Sequence, residues 1–173
     1  MKNDFVMPIL VLTLICLIFT GALAYTNSIT APIIAQAASD RADAARYEII
    51  PEAEGFVVVE TEGLPDSIRE VYRTSNDVGF IFMVTVSGYG GDIQIVCGVA
   101  PDGKIIRSNV LSQNETKGLG SRIADASFAD QFIGIAYGFD GVVAISGATK
   151  STNAYLKAIN DVFEAFEIVK GVS

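Results

Sequence analysis

The chain has 173 residues, a formal net charge of −8, two cysteines, and neither histidine nor tryptophan. The lack of histidine removes Ser-His and Cys-His nucleophile pairs, histidine-ligated haem and the common zinc hydrolase sites. The acidic balance argues against nucleic-acid partners, which select lysine and arginine in excess.

From the N-terminus, Phe5 to Ala24 carries no charge and is built mainly from Val, Leu, Ile, Phe and Ala, with Pro8 near its start and Gly21 near its end. At the helical rise such a stretch spans about 30 Å, the thickness of a bilayer core. A cleaved signal is the competing reading, since Ala22-Leu23-Ala24 has the small-x-small form of a cleavage site. The apolar run is longer than an ordinary signal core, and Lys2 is balanced by Asp4, so an uncleaved anchor over residues 1–27, surrounded by lipid, is expected. The lone N-terminal lysine favours an N-terminus in the cytoplasm, so the acidic remainder is expected outside the cell (inner or plasma) membrane. Cys16 falls in mid-span and Cys97 in a predicted strand, so no disulfide joins them.

Residues 28–50 are alanine-rich with Asp40, Arg41, Asp43 and Arg46 interspersed, and they stop before Pro51; a helical stalk is expected. The folded body then runs over residues 51–173. Phe56 to Glu60 is a short β-rich run, Gly63-Leu64-Pro65-Asp66 a turn, and Arg69 to Thr74 a returning strand. The clearest β region extends from Val78 to about Leu111. Within it, Gly79 to Val86 is followed by the cluster Ser87-Gly88-Tyr89-Gly90-Gly91, which reads as a tight hairpin rather than a phosphate cradle, because no helix or lysine follows. Ile93, Ile95, Cys97 and Val99 then alternate with Gln94, Val96 and Gly98, the period of a strand with one buried face. Pro101-Asp102-Gly103 turns the chain back into Lys104 to Leu111.

A polar loop, Gln113-Asn114-Glu115-Thr116-Lys117-Gly118-Leu119-Gly120, precedes a helix expected from about Ser121 to Phe132. Gly141 to Ile145 is a last apolar run before the turn Ser146-Gly147-Ala148-Thr149. Beyond it, Tyr155, Ile159, Val162, Phe166 and Val169 recur at steps of four, three, four and three, one apolar face of a helix. Ser151, Thr152 and Asn153 are candidate N-caps for that helix. The sum is an α+β fold, an antiparallel or mixed sheet with helices packed on it. The turn presents the Thr149 hydroxyl with small neighbours, at a helix start whose free N–H groups and partial positive charge favour a phosphate. Thr152 is the rival hydroxyl, and a plain helix cap is the bland alternative. Tyr89, beside glycines, is the aromatic most open to a cofactor or a partner.

Ser146-Gly147-Ala148-Thr149, Glu115-Thr116-Lys117-Gly118-Leu119-Gly120 and Gly88-Tyr89-Gly90-Gly91 occur here in the order seen in membrane-anchored FMN-binding subunits. The chain resembles the RnfG family, the G subunits of the Rnf ion-translocating electron-transport complex, which are related to the C subunit of the sodium-pumping NADH:quinone oxidoreductase. The resemblance implies that residues 51–173 form an FMN-binding domain and that a flavin transferase moves FMN from FAD onto a threonine, leaving a phosphoester. The matching acceptor is Thr149, with Ser146, Gly147 and Ala148 giving access and Lys150 offsetting the phosphodiester charge. It further implies that Glu115, Thr116, Gly118 and Leu119 lie against the isoalloxazine ring. Two departures from the family pattern stand out: Val143 occupies the place of an aspartate, and Lys117 that of a proline.

The implied role is electron carriage within a membrane-bound ferredoxin:NAD+ oxidoreductase that couples electron transfer to Na+ or H+ translocation. Its partners are then the other subunits of that complex. No residue of the chain need act as acid, base or nucleophile in turnover, and no complete active site lies in this chain alone. The alternatives are the C subunit of the quinone-reducing pump and an anchored scaffold or sensor domain without cofactor.

Overall fold

The computed structural model describes residues 6–171, so Lys2, Asp4 and Phe5 of the expected anchor lie outside the described residues. Its first element, α1 (Val6–Ile49), is a helix of 44 residues and the one helix among the described residues long and apolar enough to cross a membrane. Pro8 lies in its first turn, where an N–H has no intrahelical partner in any case. The hydroxyls of Thr13, Thr26 and Thr30 donate to the carbonyls of Ile9, Ala22 and Thr26 at 2.8, 2.9 and 2.8 Å. Such back-bonding satisfies polar atoms from within the helix, as an apolar solvent requires. Two compact units divide the chain, one ending at Arg41 and the other beginning at Ala42.

The second unit contains a five-stranded sheet in the order β1 (Phe56–Val58), β2 (Ile68–Thr74), β3 (Phe80–Ser87), β4 (Asp92–Val99), β5 (Ile105–Ser112). Every neighbouring pair is antiparallel, with Phe56 opposite Thr74, Phe82 opposite both Val71 and Cys97, and Val96 opposite Asn109. The two glycine-containing turns expected from sequence close their hairpins: Gly88 N–H donates to the Gly91 carbonyl and Ala100 N–H to the Lys104 carbonyl, each at 2.8 Å.

One face of the sheet carries the long C-terminal helix α3 (Thr149–Lys170). Tyr155, Ile159, Val162, Phe166 and Val169, the stripe read from sequence, are all buried there, against Phe80, Phe82, Ile95, Cys97 and Val99 among others. Full burial of such side chains contributes roughly 1.5–3 kcal/mol each. Phe166 meets Phe80 edge-on at 5.8 Å, and Tyr155 donates to or accepts from the Ser108 hydroxyl at 2.7 Å. Near the other end of β2, the Ser67 hydroxyl donates to the buried Asp161 carboxylate at 2.6 Å, and Lys157 pairs with the same carboxylate.

The expectation of a single buried face on β4 is corrected. Val96 is buried as well, with Tyr72 and Ile81, beneath Ala45, Ile49, Ile50 and Ala53. The final turns of α1 therefore cover the opposite face, and the expected stalk ends inside the folded unit. A Cβ at Gly98 would collide with Ile49 Cγ2, so glycine there lets the helix end reach the sheet. Arg46 reinforces the contact, with its guanidinium 4.0 Å from the Tyr72 ring centre and Nη2 donating to the Tyr72 hydroxyl at 2.9 Å.

A second correction concerns the helix expected from Ser121 to Phe132. Three short pieces stand in its place: a 3-10 turn at Gly120–Ala124, α2 (Ala126–Ala129), and a 3-10 turn at Asp130–Phe132, with Asp125 in extended conformation between the first two. Ile123, Phe128 and Phe132 are all buried, but a spacing of five between the first two turns them onto different faces of a continuous helix. Breaking at Asp125 brings all three into one core, where Phe128 and Phe132 pack on Tyr155 at 5.2 and 5.0 Å between ring centres. The apolar run Gly141 to Ile145 does not join the sheet.

Because Ile49 belongs to the folded unit, Ile49→Ala in the full chain is expected to lower its stability by about 2–5 kcal/mol. Urea unfolding followed by tyrosine fluorescence measures it; an unchanged midpoint would mean that the helix end does not cover the sheet.

Candidate functional site

α3 begins at Thr149, two residues before the first candidate cap, with Ala148 as N-cap and no side-chain capping bond. The expected caps are thereby corrected: Ser151 and Thr152 lie in the first turn and are buried. The chain enters the helix through Gly147 at φ +80°, a conformation that favours glycine, and Ala148 N–H donates to the Ile145 carbonyl at 3.1 Å. The Thr149 side chain is exposed, whereas Thr152 is 1% exposed and its hydroxyl oxygen accepts from Ile145 N–H at 3.3 Å. The two hydroxyls considered from sequence therefore stand in opposite environments.

A cleft of about 310 Å³ opens beside this helix start. Thr149, Lys150, Gly147 and Ala148 line it from one side, Glu115, Thr116 and Leu119 from another, and Tyr89, at the tip of the β3–β4 hairpin, from a third. Most of the residues singled out from sequence thus share one wall system. Ser146 and Gly118 do not line this cleft: Ser146 faces a neighbouring hollow with Gln131 and Val143, and Gly118 supports the loop at φ +75°. Lys117, at the family's proline position, sits in a well-tied loop. Leu119 and Ser121 N–H both donate to the Thr116 carbonyl at 3.1 Å, and Gly118 N–H donates to the Ser121 hydroxyl at 2.9 Å. Val143 is 71% exposed, and its N–H donates to the Gln131 side-chain carbonyl at 2.8 Å.

Glu115 is the polar centre of the wall. Tyr89 and Gly90 N–H donate to its Oε1 at 2.8 and 2.9 Å, and the Ser151 hydroxyl donates to Oε2. The glycine turn, read as a plain hairpin, is indeed one, and it also holds an anion supplied by the chain itself. Glycine is required where the strands close on this carboxylate: a Cβ at Gly88 would strike Glu115 Oε1, and one at Gly120 would lie 2.6 Å from Ser151 Oγ and 2.8 Å from Glu115 Oε2. Burial pushes the Glu115 carboxyl up, but the bonds from Ser151, Gly90 and Tyr89, together with the charge of Lys150, outweigh it and hold the group below its ordinary value. Sequence reasoning missed Ser151 as a wall residue, because its partner Glu115 is distant along the chain. Lys150 Nζ stands 5.9 Å from the Tyr89 ring centre. Cys97 is fully enclosed and burial pushes its thiol up to about 12, so it stays protonated and away from the cleft.

A helix of membrane length followed by an α+β domain with a cleft at a helix N-terminus describes an anchored cofactor-carrying protein, and the FMN-binding domain family matches residues 88–164. The G subunit of the Na+-translocating ferredoxin:NAD+ oxidoreductase complex of Acetobacterium woodii is 30% identical, over 87% of this chain and 79% of its own length. Its counterpart in the proton-translocating ferredoxin:NAD+ oxidoreductase complex of Clostridium ljungdahlii is 27% identical, over 88% and 86%. The G subunit of an ion-translocating oxidoreductase complex of Methanosarcina acetivorans is 25% identical, over 94% and 95%. The chain belongs to the RnfG family, the G subunits of ion-translocating oxidoreductase complexes.

Two outcomes follow from the clamp. Gly120→Ala forces its new methyl onto Ser151 and Glu115 and is expected to cost about 1–3 kcal/mol in thermal or urea unfolding. For pH, the folded Glu115 value lies below the unfolded one, so its contribution is full above the ordinary carboxylate range and is lost as pH falls through the folded value. Glu115→Gln should flatten this acid limb in a plot of urea midpoint against pH, and an unaltered limb would remove Glu115 from its origin.

Proposed function

We propose that this chain is the electron-carrying subunit of a membrane-bound ferredoxin:NAD+ oxidoreductase that couples electron transfer to Na+ or H+ translocation, with FMN held as a phosphoester on Thr149. The single observation that carries the reading is the exposed Thr149 hydroxyl at the first residue of α3, opening onto a cleft of about 310 Å³. That volume is at the lower end of the roughly 300–1,000 Å³ of small-molecule sites. The donor set fits the cofactor. Leu119, Ala148 and the Tyr89 ring offer apolar surface to a flat ring, and the Thr116 hydroxyl offers a hydrogen bond. The first-turn N–H groups of α3 and the Lys150 ammonium offer a positive environment to a phosphate.

FMN supplies the redox chemistry when bound; the chain supplies attachment, orientation and field. Thr149 fixes one end through its oxygen, and α3 holds that oxygen at the cleft mouth. Gly147 keeps the approach narrow: a Cβ there would stand 3.1 Å from Leu119 Cδ1, so a larger residue would displace the leucine from the wall. Thr152, buried and engaged with Ile145, offers no access to a modifying enzyme. The Val143 position, although not an aspartate, lies exposed beside the turn, where a flavin transferase would approach. We place the first part of α1 in lipid, the N-terminus in the cytoplasm, residues 28–50 as the connection, and residues 51–173 as the flavin-bearing part outside. The other subunits of the complex are its redox partners.

Intact mass of the chain made together with a flavin transferase tests the reading. The wild type should be heavier by one FMN less one water and fluoresce in a denaturing gel, and Thr149→Val should do neither. An unadducted wild type, or an adduct retained in Thr149→Val, would refute attachment at this residue.

A further inference from the structure

We propose that the Glu115 carboxylate, ionised and locked into the cleft wall by two hairpin amides and the Ser151 hydroxyl, lowers the reduction potential of the flavin held there. The inference rests on the proposed function for the presence of the flavin, and on the structure for everything else.

Tyr89 N–H, Gly90 N–H and the Ser151 hydroxyl all donate to Glu115, two to one oxygen and one to the other. Two amide N–H groups on one oxygen and a hydroxyl on the other favour the ionised carboxylate, and with the nearby Lys150 charge they outweigh its burial. The anion joins the hairpin tip after β3, the loop after β5 and the first turn of α3, which are the three segments that form the cleft. Gly88 and Gly120 lack the side chains that would block this approach. Glu115 is 8% exposed, so its charge is poorly screened and its dipolar surroundings are held in place.

Of the side chains that line the cleft, Glu115 alone is acidic and Lys150 alone is basic. Lys150 is exposed, so water screens much of its charge, whereas the Glu115 carboxylate in the cleft wall is largely withdrawn from solvent. Adding electrons to a ring in this cleft adds negative charge beside a fixed negative charge, which disfavours the reduced form. Glu115 is in this sense a positioning residue with an electrostatic consequence; it touches the walls, and its field reaches the reacting group.

The test uses the full chain in detergent, loaded by a flavin transferase and checked by mass, with the flavin midpoint potential titrated at pH 7. Glu115→Gln keeps the size of the side chain and removes the charge; Glu115→Asp keeps the charge and shortens the reach to the hairpin tip. The potential is expected to rise in Glu115→Gln and to stay near the wild-type value in Glu115→Asp, even though amide exchange at Tyr89 and Gly90 quickens in the aspartate variant. Equal potentials in the wild type and Glu115→Gln would overturn the proposal, as would equal shifts in both variants, which would report loosened structure rather than charge. The clamp is read separately on unloaded Thr149→Val chains, where adding Glu115→Ala should speed exchange at the same two amides and unchanged exchange would overturn the locked carboxylate. A wild-type chain of unmodified mass would overturn the proposed function, and the tuning role with it, before any titration is made.

Discussion

Burial of one face of α3 against the sheet is the interaction on which the rest of the molecule depends. Tyr155, Ile159, Val162, Phe166 and Val169 enter a single core with the inner residues of β3, β4 and β5 and with Phe128 and Phe132. Removing this face from water stabilises the unit by several side chains' worth of apolar transfer, each roughly 1.5–3 kcal/mol. The same packing sets where the helix begins. With Tyr155 locked in the core, the first turn lies two turns or less away, and Thr149 has little freedom to move relative to the hairpin tip or the loop after β5. A site made from three segments is precise only when one rigid element indexes them, and here that element is α3.

The cleft itself is organised around an internal anion. Hairpin tips and glycine-rich loops commonly present N–H groups to phosphates; in this chain two such groups are already engaged by Glu115. The remaining positive features, the free start of α3 and the Lys150 ammonium, stay on the Thr149 side of the cleft. The wall thus has a polarity, negative and buried at Glu115, positive and exposed at the helix start. A cofactor with an anionic phosphate and a neutral ring is matched to that division.

The two ends of α1 differ in composition. Its first part is uncharged, with hydroxyls bonded to its own backbone carbonyls. Its last turns carry Ala45 and Ile49 onto the sheet and Arg46 onto Tyr72. Within the folded unit, this helix end explains why β4 is buried on both sides at Val96 and Gly98.

Patterns that act over a few residues were legible in the sequence by themselves: the apolar span, the face of α3, the antiparallel meander with its turns at Gly88–Gly91 and Pro101–Gly103, and the family resemblance in the order of three short motifs. The first three depend on a local period or on turn chemistry, and the last on the order of residues alone; none changes when distant parts of the chain come together. Other features belonged to the tertiary structure alone. Val96 and Gly98 read as an outward face because nothing nearby in sequence announces Ile49 as their cover. The segment after Gly120 reads as one helix because propensity does not register that Ile123 and Phe128 must reach the same core. Ser151 reads as a cap because its actual partner, Glu115, is 36 residues away. The sequence determined the strands, the long apolar helix, α3 and the exposed hydroxyl at its start; only the packing of α3, the hairpin tip and the loop decided that a carboxylate stands across from it, because a buried charge acquires its partners from whichever segments the core brings into reach.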